Sequence, residues 1–327
     1  MRSTFTQDQL DLEKTVRSLA EADRGRARAA LEQGWGETAG DVALRRDFGV
    51  LGVPESAGGV GSSLVDLMVA VEALGRQLSA SSYVAHAAAV QLLVDSGLPL
   101  DDALEGRVRW TPAVDPLTGH PETRTLVPCA AGVDAFAVHG PSGVRLATRA
   151  IVTERESFDP SRPMADVVAE PGTAVPAGRG LQRATLVAAA ELCGVAQGAI
   201  DLAAGYARQR TQFGRVIGSF QAVAFQLVDA VVARKAAWDL TLHAAWAVEH
   251  DRPEAELQVH AAKAAAGKAA CFAAERCIQV HGGMGITMEA DPHLYLRRAM
   301  VLDAWLGSGA THRRQAGRLR IAAHRGA

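Results

Sequence analysis

The chain has 327 residues, which allows two or three domains and ample core. Its 34 Lys and Arg against 36 Asp and Glu leave a formal charge of −2, which argues against a general nucleic-acid binder or a polybasic membrane protein. Hydrophobic residues at 48% and charged residues at 21% exclude wholesale disorder, and aromatics at only 5% favour helix over a β-sandwich.

Residues 1–108 read as an N-terminal helical domain. Leu10, Val16, Leu19 and Ala20 give residues 6–21 one apolar face, and a loop follows near Gly34-Trp35-Gly36. Pro54 breaks the next apolar run. The Gly- and Ser-rich stretch 55–63 reads as a turn-forming loop that ends in a helix N-cap, Ser62 or Ser63. Leu64, Leu67, Met68, Val71 and Leu74 then recur with a period near 3.6, and a further apolar helix is expected across 84–93. The polar first ten residues show no secretory pattern. Cys129, Cys193, Cys271 and Cys277 form no CxxC pair, so reduced thiols, no metal site and a cytoplasmic location are expected.

Residues 109–179 carry nine prolines and short apolar runs at 125–127, 135–138, 144–146 and 150–152, separated by Gly132, Gly140-Pro141 and Gly143. This strand-and-turn spacing predicts a small β domain. Residues 180–327 return to helix, with segments expected at 182–210, 219–249, 254–280, 292–304 and near 311–323. Gly214 and Gly218 separate the first pair, Pro253 precedes the third and Gly282-Gly283 ends it. Long helices with short loops predict an antiparallel four-helix bundle. The fold class is thus mainly α with a small, reduced β-barrel-like middle domain. The most apolar stretch, 184–200, holds one charge, Glu191, and reads as a buried helix rather than a membrane span. His243, His250 and His260 have no metal-ligand spacing, and Trp238 and Trp246, eight apart, share a helix face as core.

Two groups can carry chemistry. Arg210-Thr211-Gln212-Phe213-Gly214 with Ser219-Phe220-Gln221 sets a cation, amides and a ring around a glycine bend, able to pair a phosphate and cover a heterocycle. Gln279-Val280-His281-Gly282-Gly283-Met284-Gly285 allows close approach to its backbone. Each alone is also an ordinary helix corner or C-cap, and His281 reads as a packed or hydrogen-bonded histidine.

Together, in this order, they resemble the acyl-CoA dehydrogenase family. The first is similar to its R-x-x-F-G-x-x-I-x-x-F/H-Q block and the second, followed by Glu289 and Arg297-Arg298, to its Q-x-x-G-G-x-G block. Gly52-Val53-Pro54-Glu55 with Gly58-Gly59-Val60-Gly61 looks like its N-terminal G-x-P-E-x-x-G-G-x-G loop. The resemblance implies FAD, an acyl-CoA substrate and an acceptor such as electron-transfer flavoprotein. It implies that Arg210, Gln212 and Phe213 face the pyrophosphate and adenine side of a neighbouring subunit's FAD. Gln221, Gln279, Gly282 and Gly283 would line its adenosine, and Ser308 keeps a flavin-side hydroxyl.

The departures are as informative. The family's catalytic carboxylate falls on Leu306, and its alternative position on Ala184; neither can take a proton. The nearest acids, Asp303 and Glu191, are three and seven residues away, about 4.5 and 10 Å along a helix. The β domain lacks the T-E-P-x-x-G-S-D-like and W-x-T-like runs that bracket a flavin ring, and Ala310 stands where a flavin-contacting Gln is common. The family elements for a subunit's own flavin are degraded while those for a neighbour's are kept. This implies the short, base-less subunit of a heteromeric α2β2 enzyme of the steroid side-chain type, partnered by a longer homologue. Two alternatives stay open: a self-sufficient dehydrogenase using Glu191 or Asp303, and a structural or DNA-associated relative. The latter would use the basic run Arg313, Arg314, Arg318, Arg320 and Arg325.

Overall fold

The computed structural model describes residues 4–23, 25–114 and 123–325; Pro116, Pro121 and the Arg325 side chain lie outside them. Six helices come first: α1 (Gln7–Ala22), α2 (Arg26–Gln33), α3 (Ala39–Phe48), α4 (Leu64–Arg76), α5 (Tyr83–Leu93) and α6 (Asp101–Leu104). Local chemistry sets their starts. Thr6 and Gln9 form a capping box on α1, and Ser63 and Asp66 do the same on α4. Ser63 is the cap. Ser62 accepts instead from the Gly52 N–H and ties the preceding loop.

Six strands follow: β1 (Trp110–Val114), β2 (Arg124–Pro128), β3 (Ala135–Gly140), β4 (Gly143–Ala147), β5 (Ala150–Arg155) and β6 (Met164–Ala169). They form two three-stranded sheets, ordered β1-β3-β4 and β2-β6-β5, with β1 and β3 parallel and every other pair antiparallel. Val127, Phe136, Val138, Ala165 and Val167 share one small core. Two strands escape the sequence pattern. β1 carries Pro112, which an edge strand tolerates because, among the described residues, one side of it pairs with no strand. β6 begins just after Pro163 and is interrupted by Asp166.

The rest is α7 (Gly180–Gln209), a hairpin of β7 (Thr211–Gln212) and β8 (Arg215–Val216), then α8 (Gln221–Glu249), α9 (Ala255–His281), α10 (Pro292–Ala304) and α11 (Gly309–Arg325). The expected glycine bend is thus a two-residue hairpin. Phe213 and Gly214 both have positive φ, 53° and 78°, as a type I′ turn demands. Gly282, at φ 61°, ends α9. The mainly helical architecture with small central sheets agrees with the sequence reading.

α7 is the central strut of the helical core. It packs on α4, α5, α8, α9 and α10. By length and composition it could cross a membrane, but 83% of its apolar window is buried inside the protein. Gly194 and Gly75 let α4 and α7 touch backbone to backbone: a Cβ on Gly194 would meet the Glu72 carbonyl, and one on Gly75 the Glu191 carbonyl. All residues of α5 are buried against this layer.

Candidate functional site

The hairpin between α7 and α8 and the glycine turn after α9 lie at the same end of the bundle. The Tyr206 ring, on the last turns of α7, stacks on His281 at 4.2 Å, and Arg276 of α9 donates to Gln226 of α8 at 3.4 Å. His281 is buried, and its Nδ1 donates to the Cys277 carbonyl at 2.8 Å. It is a packing residue that joins the two motifs.

The predicted cofactor residues at this end point outward. Arg210, Gln212, Gln221, Gln279, Gly282 and Gly283 are all exposed, and Phe213 is 91% exposed. The Phe213 ring meets Phe220 edge-on at 6.2 Å, and the Arg215 guanidinium covers Phe220 at 4.0 Å. Among the described residues Arg210 has no ion-pair partner. A Cβ on Gly282 or Gly283 would meet nothing within 4 Å. The surface therefore offers a free guanidinium, amides, an uncovered ring and bare backbone on one outer face. Phe225, Val228, Val231 and Val232 of α8, with Met284, Ile286 and Met288, add exposed apolar surface around it.

Ser308 is elsewhere. Its carbonyl accepts from His312, and its hydroxyl bonds Thr311 at the start of α11. The adjoining Gly307 carbonyl accepts from Lys263 of α9, which is 16 residues from Gln279, about 24 Å along the helix. The predicted set thus divides between the two ends of α9.

At the Ser308 end the described residues pack closely. Ala184 is fully buried. Leu306, at φ 57°, lines a crevice with Pro112, Val114, Thr125, Leu126 and Trp305 whose volume is about 20 Å³, room for one water and not for a ring or thioester. Gly180 lets α7 rest directly on the Leu92 carbonyl of α5.

Both alternative bases have structural partners. Glu191 is 1% exposed and is bound by the Arg162 and Arg298 guanidinium groups. Arg298 also pairs Asp159, donates to the Ser79 carbonyl at 3.0 Å and reaches Ser161 at 2.8 Å. Burial raises the Asp159 pKa, but Arg298 and the Ser161 hydroxyl outweigh it and hold the carboxyl below its usual range. This network clamps the β5–β6 loop to α7 and α10. Asp303 accepts the Gly309 N–H at 3.1 Å and caps α11. Beside it, fully buried Lys263 donates to the carbonyls of Leu302, Asp303 and Gly307, and burial pulls its pKa down to about 8.

Sequence reasoning missed the arginine partners in this clamp and Lys263. Arg162, Lys263 and Arg298 look like surface cations in one dimension, and only an apolar neighbourhood on both sides hints that they are interior. It also missed two histidines. His86 Nε2 donates to the Ala103 carbonyl at 3.1 Å while Nδ1 accepts from the Trp110 N–H, joining α5 to β1. His312 Nε2 donates to the Leu306 carbonyl at 3.0 Å, and its Nδ1 sits 2.7 Å from Nδ1 of His260.

The profile described as "Acyl-CoA dehydrogenase, C-terminal domain" matches residues 172–319. The chain is 32% identical over 297 residues to the acyl-CoA dehydrogenase IpdE2 of Mycobacterium tuberculosis, covering 88% of this chain and 89% of that one. It superposes on a chain of the ChsE4-ChsE5 complex from Mycobacterium tuberculosis with a TM-score of 0.84, at 28% identity, over 97% of this chain and 98% of that one. The fold is shared with the Tcur3481-Tcur3483 steroid ACAD, with a TM-score of 0.86 at 23% identity over 98% and 99% of the two chains.

Proposed function

Since the chain belongs to the acyl-CoA dehydrogenase family, we propose that it is the non-catalytic subunit of a hetero-oligomeric, FAD-dependent acyl-CoA dehydrogenase, lending FAD contacts to a longer partner. One observation carries this reading. The residues suited to a dinucleotide stand on an outer face, while Leu306, where the resemblance puts the base, lines a crevice of only about 20 Å³.

The outer face fits the group. The Arg210 guanidinium suits a diphosphate, because a charge-assisted pair to phosphate oxygens is among the stronger hydrogen bonds. The bare Gly282 and Gly283 backbone permits close approach, Gln279 and Gln221 supply amide donors and acceptors, and Phe213 offers a ring face. Bound there, FAD supplies the acceptor for the hydride leaving the β-carbon of an acyl-CoA thioester. The α-proton goes to a carboxylate of the partner, since Leu306 and Ala184 offer none. This chain's own part is to bind, orient and exclude water. The acyl group is a bulky one, a reading supported by the heteromeric and steroid-type neighbours, and the complex works in the cytoplasm with an electron-transfer flavoprotein as acceptor.

Co-expression with a longer family member that retains the base tests the proposal. The expected result is a colourless chain alone and a yellow complex holding one FAD per pair of unlike chains, counted by absorbance. A chain that is yellow alone and reduces an acceptor with acyl-CoA overturns it and restores the self-sufficient reading.

A further inference from the structure

α11 is a basic helix that packs chiefly on one neighbour, α9. It has no acidic residue between Gly309 and Arg325, and Arg313, Arg314, Arg318 and Arg320 stand exposed on it. Arg314 and Arg318 are four apart, so their charges repel along one face. Two polar links fasten its first turn to the body. The Gly309 N–H donates to Asp303 of α10, and His312 meets His260 of α9, Nδ1 to Nδ1, at 2.7 Å.

That contact admits one arrangement of hydrogens when both rings are neutral. His312 Nε2 faces the Leu306 carbonyl, which can only accept, so the His312 hydrogen is there and its Nδ1 is bare. His260 Nδ1 then carries the hydrogen that joins the rings. His260 Nε2 is left bare, 3.9 Å from the Glu256 carboxylate. A first added proton goes to that Nε2, where it breaks nothing and gains Glu256. A second has only His312 Nδ1 to go to, and the His260 N–H already points there. Two N–H groups cannot face each other at hydrogen-bond distance, so the rings must part.

We infer that His260 and His312 form a proton-released latch: neutral or singly protonated, the pair holds α11 on α9, and the second proton frees the helix. The surrounding charges set the order. α9 supplies Glu256 and buried Lys263, α10 supplies Asp303, which offsets part of the Lys263 charge, and α11 itself adds Arg313. Burial lowers the His260 pKa against the pull of Glu256, while burial, Lys263 and His260 together hold His312 down to about 4. The two protons therefore add in sequence, and the releasing one comes last. The latch does not rest on the FAD reading, whose outer face lies at the other end of α9.

Hydrogen–deuterium exchange of the full chain tests it, read by mass spectrometry on peptides from 309–324 and corrected for the intrinsic effect of pH on exchange. Protection of α11 is expected to stay level from about pH 7.5 to 5.5 and to fall about tenfold or more by about pH 4, while α7 stays protected. His260→Gln is expected to abolish the fall, because its amide donates to a bare Nδ1 and, turned over, accepts from a protonated one. His260→Ala should show the acid level of protection already at neutral pH. Protection of α11 that survives acid, a fall that His260→Gln leaves in place, or loss of α7 protection at the same pH each overturns the proposal.

Discussion

Two buried histidines show how a single residue sets conditions for the whole molecule. Burial pushes the His86 pKa down to about 3, and burial with the neighbouring Lys263 pushes His312 to about 4. Both therefore sit neutral in the fold, and their hydrogen bonds to carbonyls fix the tautomer. An unfolded histidine titrates near 6.5. Because the folded values are lower, the stabilisation is complete above about pH 6.5 and is lost as pH falls toward 4, by about 1.4 kcal/mol per unit for each group that fully titrates. Denaturant midpoints should fall between pH 7 and pH 5, and His312→Gln should flatten that slope. Arg298 is equally exacting. Arg298→Met leaves Glu191 and Asp159 charged and short of a partner, and about 3–5 kcal/mol of stability should disappear in urea unfolding. Arg210 is the opposite kind of arginine, exposed and unpaired among the described residues. Arg210→Ala should leave unfolding unchanged and weaken FAD retention by the hetero-complex by about 1.5–3 kcal/mol, read by fluorescence of released flavin. Full retention would remove Arg210 from the proposed role.

Among the elements, the long helices were legible and the β-strands only partly so. α7 through α11 fall within a few residues of the expected segments, because each is bounded by a Gly or Pro breaker or by a loop of a few residues. α2, α3 and α6 carry too short a periodic pattern to stand out, and β1 and β6 hide behind Pro112 and Asp166. The small residues of α7 were visible as composition, but their purpose was not. Gly194 and Gly75 face each other's helix backbones, so α4 and α7 sit closer than any side chain would permit. Gly194→Ala should therefore destabilise by about 1–3 kcal/mol even though Ala is the better helix former. A thermal melt that rises instead would show that the crossing can open at no cost. The same reasoning accounts for α8, which has apolar residues on both its bundle face and its outer face. A helix with two apolar faces needs two neighbours.

For the molecule as a whole, the decisive geometry is the separation along α9. The face proposed for the dinucleotide is at its C-terminal end, and the small crevice at Leu306 is near its start. Leu306→Glu puts a carboxylate at the position where the family resemblance places one. It should give the chain alone no dehydrogenation and no bound flavin, because a crevice of about 20 Å³ admits neither ring nor thioester. Turnover by that variant without a partner would show that the crevice opens. The sequence by itself determined the helix-strand-helix order and the family likeness, since periodicity, breakers and motif spacing are properties of neighbouring residues. Only the tertiary structure decided that Glu191 and Asp303 are tied to structural partners, that Leu306 lines only a small crevice, and that the motif residues face outward. Those are matters of which side chain lies against which, as Arg298 lies against Glu191 across 107 residues of chain, and burial and pairing are settled by packing, not by spacing.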